Sequence, residues 1–224
     1  MAKIFKLYGL FNYALLAMAF IPGAQAQTQW DFSGFASIGA GHLNRDDITF
    51  LDYTDDWSFD SDSMLAMQMI VAPMDRFSIT TQVVARGFSF VNDDSYDPRL
   101  EWFFASYELT PEWRMRVGRL RTPHYLFSES LEIGYSYPWV RPPNDMYVSF
   151  LEPFSHFYGA DLTWQHAFGS VDSDFKILYG KTSGKFSGID IDVNKTYGVA
   201  TKARWNDFTL RYALNVNQVN LTLP

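Results

Sequence analysis

Charged side chains of opposite sign concentrate between residues 114 and 152 of this chain. Arginines come first, and acids with one further arginine follow: Arg114, Arg116, Arg119 and Arg121, then Glu129, Glu132, Arg141, Asp145 and Glu152. Guanidinium and carboxylate groups facing each other across water set a transverse electric field, which selects solutes by charge and size. The alternative is that these are ordinary solvated or paired charges. The elements that carry the residues decide between the two interpretations.

No other group of residues indicates catalysis or a bound metal. No serine lies in a Gly-x-Ser-x-Gly setting, and the histidines match no zinc-binding spacing: His42, His124, His156 and His166. The chain has no cysteine, which excludes disulfides and thiolate metal sites. A run of aspartates suggests calcium but lacks EF-hand spacing, so a solvated loop is the better interpretation: Asp46, Asp47, Asp52, Asp55, Asp56, Asp60 and Asp62. We expect neither enzymatic activity nor a cofactor.

The dominant period of the hydrophobic pattern is two residues. Between 76 and 86, apolar and small side chains alternate with polar ones, and similar alternation surrounds residues 115, 162 and 212. A helix would scatter these side chains around its axis, whereas a strand sorts them onto two faces. The pattern predicts nine strands, near residues 29–42, 64–73, 76–87, 100–110, 113–121, 156–168, 173–182, 194–205 and 208–218.

The connections between these strands alternate in length. Short turns are expected around residues 73–75, 110–112, 168–170 and 206–207, and long polar connections at 43–63, 88–99, 122–155 and 183–193. Such sorting is typical of a transmembrane antiparallel up-and-down β-barrel, whose two rims face different compartments. The connection 122–155 is rich in aromatic residues and prolines, which is wrong for disorder. A loop of that composition needs a surface to pack on, and the inside of a barrel offers one.

The two faces of the strands also fit a membrane. One face is apolar or aromatic with almost no charge, and the other holds Arg, Lys, Gln, Thr and Gly, as in a barrel with lipid outside and water inside. Aromatic residues near strand ends would form an interfacial girdle: Trp113, Trp164, Trp205, Tyr107, Tyr179 and Tyr197. The alternative is a soluble exported β-sandwich that has these residues in its core and binds glycans through the aromatic-rich loop.

The N-terminus predicts export. Lys3 and Lys6 precede an apolar stretch, and Ala24-Gln25-Ala26 is a small-x-small cleavage pattern, so residues 1–26 are expected to be a signal peptide cut before Gln27. The remaining 27–224 are expected to form the barrel domain. A net charge of −7 argues against a nucleic-acid partner. The expected partners are instead outer-membrane lipid, lipopolysaccharide, and small hydrophilic solutes and ions.

Three runs carry a family resemblance. Residues 116–123, Arg-Val-Gly-Arg-Leu-Arg-Thr-Pro, resemble the strand that enters the constriction loop of Gram-negative porins of the general-diffusion and phosphate-selective type. Residues 63–68 with 73–78 resemble an earlier hairpin of the same family, and Tyr-Pro-Trp-Val-Arg-Pro-Pro at 137–143 looks like the loop of a marine-proteobacterial porin-like group. The chain lacks the Pro-Glu-Phe-Gly-type loop motif of enteric porins and the lysine ladder of a dedicated phosphate channel.

This resemblance implies a barrel of about 16 strands, usually trimeric, in which the third long loop, here 122–155, folds into the pore. The nine charged residues named above would line or constrict that pore, allowing passive diffusion. Nine strands are an odd number for a bacterial barrel, so we expect the sequence to be the N-terminal part of a longer chain, with closure as an eight-stranded barrel the alternative. Strict alternation would put Arg119 and Arg121 on the lipid face, so we expect a break near Gly118, such as a bulge.

Overall fold

A computed structural model of the protein describes residues 28–50, 53–87, 95–133, 136–139, 143–147, 154–186 and 189–222. The expected signal peptide lies outside these ranges. The strands are β1 (Gln29–Ser37), β2 (Met64–Met74), β3 (Phe77–Arg86), β4 (Arg99–Glu108), β5 (Trp113–Arg121), β6 (His156–Phe168), β7 (Val171–Phe186), β8 (Ile189–Trp205) and β9 (Phe208–Thr222). Each pairs antiparallel with the next, so one nine-stranded sheet follows the order of the sequence. The all-β, up-and-down prediction is confirmed.

The sheet is open. Strands β1 and β9 are its two edges, so the described strands do not close into the expected barrel. The connections after β2, β4, β6 and β8 are short and lie at one end of the sheet, because the meander reverses at every strand. The long connections after β1, β3 and β5 lie at the other end, together with the short one after β7. The connection after β5 contains a 3₁₀ turn, Ser128–Ser130, and one short helix, α1 (Asn144–Tyr147). Within the described ranges, no helix has the length and apolar character needed to cross a membrane.

Nine strands are observed where nine were predicted, but β1 ends at Ser37 rather than at residue 42, β9 extends to Thr222, and the largest difference lies around 183–193. That stretch was expected to be a polar loop, but β7 continues to Phe186 and β8 begins at Ile189, with pairing from Thr182–Val193 to Phe186–Ile189. The prediction was wrong because polar residues suggested a turn, while Ile191 and Val193 keep the period of two and bury their side chains. The long connections within the described chain are therefore those after β1, β3 and β5.

The exposure of the two faces is opposite to that of a soluble sheet. Apolar side chains such as Phe32 (71% exposed), Met67 (68%) and Leu210 (76%) point outward. Polar residues on the other face are buried, among them Thr80, Gln82, Arg116, Asp161, Thr163, Lys176 and Thr196. The expected girdle residues Trp113, Trp205, Tyr107, Tyr179 and Tyr197 are all on the exposed apolar face. An apolar surface of this extent needs a covering that water does not provide.

Gly118 interrupts the backbone geometry of β5 without interrupting its pairing. Its φ is +143°, but β5 pairs with β4 and with β6 through this position with no change of register. The expected bulge lies instead in β4, where Glu101 is the extra residue between the Gln82–Trp102 and Val83–Leu100 pairs. A Cβ at Gly118 would lie 2.2 Å from the backbone oxygen of Phe103. Glycine is therefore required here by both conformation and space.

We expect the substitution Gly118→Ala to lower the free energy of unfolding by about 2 kcal/mol, because it combines a strained φ with a backbone clash. The matched control is Gly169→Asn, since Gly169 has φ +62° and no atom within 4 Å of an added Cβ. Asparagine tolerates that conformation, so the control should be nearly neutral. Urea unfolding in detergent measures both, and equal effects of the two substitutions would contradict the prediction.

Candidate functional site

The described residues between β5 and β6 (122–133, 136–139, 143–147 and 154–155), called the segment below, lie on the polar face of the sheet. Arg211 Nη2 on β9 donates to the carbonyl oxygen of Pro123 at 3.2 Å, and Asn215 Nδ2 lies 3.4 Å from His124 Nδ1. These contacts join residues 88 and 91 positions apart in the sequence. Residues that directly follow β5 therefore contact β9, four strands away in the sheet, on the polar face.

Arg116 is at the centre of the contact between the sheet and the segment. Its Nε and Nη2 donate to the carboxylate of Asp161 on β6, at 3.0 Å to Oδ1 and 2.5 Å to Oδ2. Nη2 also donates to Glu129 Oε1 of the segment at 2.9 Å, and Lys176 Nζ on β7 reaches the same oxygen at 2.8 Å. The ring of Phe104 lies under the guanidinium at 5.2 Å. Arg116 and Lys176 on the sheet therefore pair with two carboxylates, that of Asp161 on the sheet and that of Glu129 in the segment.

A second ion-pair cluster closes the other end of the segment. Arg121 bonds to Glu132 and, at 2.9 Å, to Glu101. Arg86 lies 2.6 Å from Glu132 and 3.2 Å from Glu101, so two arginines and two glutamates alternate around the cluster. His156 Nε2 lies 2.7 Å from Glu101 Oε2. The bulge in β4 brings Glu101 into this cluster, because the extra residue leaves the regular alternation.

Ionisation of the segment follows from these contacts. Partial burial raises the pKa of Glu129, but the charges of Lys176 and Arg116 outweigh it, so the pKa lies well below its usual range. Burial lowers the pKa of His124, and nearby Arg211 lowers it further, against the opposing effect of the Phe154 carbonyl. At neutral pH, Glu129 is therefore an anion that bridges two cations, and His124 is neutral.

The aromatic residues of the segment pack against each other. Phe127 makes edge contacts with Tyr137 and Trp139, at ring-centroid distances of 6.0 and 5.7 Å. Tyr125 and Tyr147 are 5.1 Å apart. Aromatic pairs of this kind add rigidity beyond their burial. The segment is therefore stabilised both by its own rings and by its ion pairs with the sheet.

The sequence-predicted site residues fall into four groups. Arg114 and Arg116 lie on the polar face, and Arg119 lies on the apolar face. Arg121, Glu129 and Glu132 take part in the ion pairs between the sheet and the segment. Arg141 and Glu152 lie outside the described residues. Asp145 belongs to α1, and its side chain is also outside the described set. Arg119 therefore keeps the position that strict alternation assigns to it. Arg121, by contrast, turns into the buried cluster at the end of β5.

Several partners in these clusters were not anticipated from the sequence. They are the strand residues Arg86, Glu101, Asp161 and Lys176. For Asp161 a signal existed, since it occupies a polar position between Ala160 and Leu162 in a strand whose other face is apolar. A lone carboxylate at such a position requires a cation across the strand. The cation proved to be Arg116, whose register position is opposite Asp161.

Arg114 differs from Arg116 and Lys176, the paired cations of the polar face. Its Nε is buried without a hydrogen-bond partner, and no described carboxylate lies within ion-pair distance of it. Within the described ranges, no group of three or more His, Asp or Glu side chains could hold a metal ion. The arrangement can therefore act on charged solutes through its field, with Arg114 as a cation not neutralised by an ion pair.

Comparison with known proteins adds no relative. No protein-family model matches the chain, and no curated protein matches it.

We expect Asp161→Asn to lower the free energy of unfolding by about 3 kcal/mol, because it leaves Arg116 buried with only part of its charge compensated. The control is Asp172→Asn on β7, where Asp172 and Arg204 are 3.8 Å apart and both exposed. That exposed pair should contribute less than about 1 kcal/mol. Denaturant unfolding in detergent measures both variants, and a small effect at Asp161 would refute a structural role for the Arg116 pair.

Proposed function

We propose that the protein is the wall of an outer-membrane porin, through which small hydrophilic solutes and ions diffuse passively. The exposed apolar face would contact lipid, and the polar face would line a water-filled interior. The position of all three long connections at one end of the sheet, with only short turns at the other, supports this arrangement. So does the exposed position of the aromatic residues, which suits the two membrane interfaces.

The observation that carries the proposal is the packing of the segment after β5 on the polar face. In a lumen, such a segment would narrow the passage and set a fixed charge pattern at its narrowest level. Glu129 and Glu132 are bonded to wall cations on β3, β5 and β7, so the segment is fixed to the wall. A fixed constriction fits passive diffusion, in which no conformational cycle is needed.

The soluble alternative, an exported glycan-binding β-sandwich, fits the described strands less well. A sandwich divides its strands between two facing sheets and turns their apolar faces toward each other. Here all nine described strands belong to one sheet, and large apolar side chains on its outer face are exposed. The outer membrane is the location we propose, with export through the N-terminal signal and a trimeric assembly.

The direct test combines fractionation with conductance. Cells that produce the protein are separated into soluble, inner-membrane and outer-membrane fractions, and the mature protein is extracted in detergent and added to a planar bilayer. We expect recovery in the outer membrane and stepwise increases in conductance that are ohmic at low voltage. Recovery as a soluble periplasmic monomer would overturn the proposal, and so would extracted protein with no conductance.

A single substitution then tests the assignment of the faces. Arg114→Gln removes a cation from the polar face without breaking an ion pair, so the reversal potential in a KCl gradient should shift toward cation selectivity. Arg119→Gln, on the same strand but on the apolar face, should leave the reversal potential unchanged. A shift with Arg119→Gln and none with Arg114→Gln would mean that the two faces had been assigned the wrong way round.

A further inference from the structure

A row of cations crosses the apolar face of the sheet near its long connections. Arg119 on β5 is opposite Tyr158 on β6, and Tyr158 is opposite Lys181 on β7. Lys181 lies at a register shift between β7 and β8, where it is opposite both Asn194 and Lys195 and β8 has one extra residue. Tyr158, Lys181 and Lys195 are exposed, and Arg119 is half-buried. Arg119 and Lys181 therefore flank Tyr158 from the two neighbouring strands, and Lys195 lies one strand beyond Lys181 at about the same level of the sheet.

None of these three cations has a carboxylate partner among the described residues. Arg119 Nε donates to the carbonyl oxygen of Leu100 at 2.8 Å, and its Nη1 donates to Tyr158 Oη at 3.1 Å. The guanidinium also lies 5.4 Å from the centre of the Tyr158 ring. These contacts orient the guanidinium but leave its charge unneutralised. Asp192 precedes the register shift on β8, and its side chain is exposed.

The row lies at one end of a band of uncharged residues on the apolar face. On the same face toward the short turns, β5, β6 and β7 carry only uncharged residues as far as Trp113, Trp164 and Phe175. Lys181 is six residues from Phe175, which is about 20 Å along the strand. The row therefore lies where the uncharged part of the apolar face ends toward the long connections, as expected of charged residues at the edge of an apolar band.

We propose that Arg119, Tyr158, Lys181 and Lys195 bind the phosphate group of a lipid headgroup in the leaflet at the long-connection end. The inference rests on the proposed membrane location of the sheet. Charge complementarity identifies the occupant, since three unneutralised cations at the apolar boundary match an anionic headgroup whose acyl chains lie on the apolar side chains below. Guanidinium and tyrosine hydroxyl donors suit phosphate oxygens, and the lysines add charge.

The test uses the mature protein in dodecyl maltoside micelles, with native mass spectrometry counting bound lipids. Phosphatidylglycerol and phosphatidylcholine are offered at equal concentration, and inorganic phosphate is added in a separate arm. We expect preferential retention of phosphatidylglycerol, weakened by salt. Arg119→Gln and the double variant Lys181→Gln/Lys195→Gln should lose roughly fivefold in preference for each cation removed. The lysine variant breaks no hydrogen bond of the described residues, so it tests the proposal even where Arg119→Gln destabilises the fold.

The matched control is Lys202→Gln/Arg204→Gln, which removes two cations from the opposite face of β8 and should leave the preference unchanged. Equal binding of both lipids, or an equal loss in the control, would overturn the proposal. Displacement of the lipid by millimolar inorganic phosphate would indicate a site for free phosphate instead. A change in oligomeric state without lipid dependence would indicate that a second copy covers the row. Conductance that persists in the lysine variant separates failure of this inference from failure of the pore.

Discussion

A charge that leaves water needs a partner of opposite sign, and this constraint governs the polar face of the sheet. Arg116 and Asp161 lie on neighbouring strands, and both are almost fully buried. With Lys176 the strands hold two cations against one carboxylate, and Glu129 of the segment supplies the missing negative charge. The same holds at the other cluster, where Glu132 completes the pairing of Arg86 and Arg121. The position of the segment is therefore a consequence of the charges on the polar face of the sheet.

The two faces of the sheet are covered differently. The segment, through its acidic residues, covers part of the polar face, whereas no described element covers the apolar face. Arg119 and Arg116 belong to the same strand, β5, but their side chains lie on opposite faces. One strand thus carries a buried, paired arginine and an unneutralised one. In a membrane, the two would experience a lumen and a headgroup region respectively.

Much of the fold could be predicted because its hydrophobic period is local. Alternation around Phe77 or Leu162 is visible within ten residues, so most strands were placed close to their observed bounds. The first strand was predicted to run to residue 42 but ends at Ser37, and the error at 183–193 came from weighing polar composition above period. The site depends on information of another kind. Arg116 meets Asp161 across 45 residues, and that pairing requires the register of two strands. Arg121 turns inward beside a bulge at Glu101 that no residue type signals.

The sequential order of the strands has a consequence for assembly. Every strand pairs with its neighbour in the chain, so the hairpins joined by short turns can form with little loop-closure entropy. The segment after β5 is the exception, because Pro123 and His124 contact β9 from about 90 residues away. Those contacts can form only after β6 to β9 have paired. Pairing of these strands would therefore precede the contacts of Pro123 and His124 with β9.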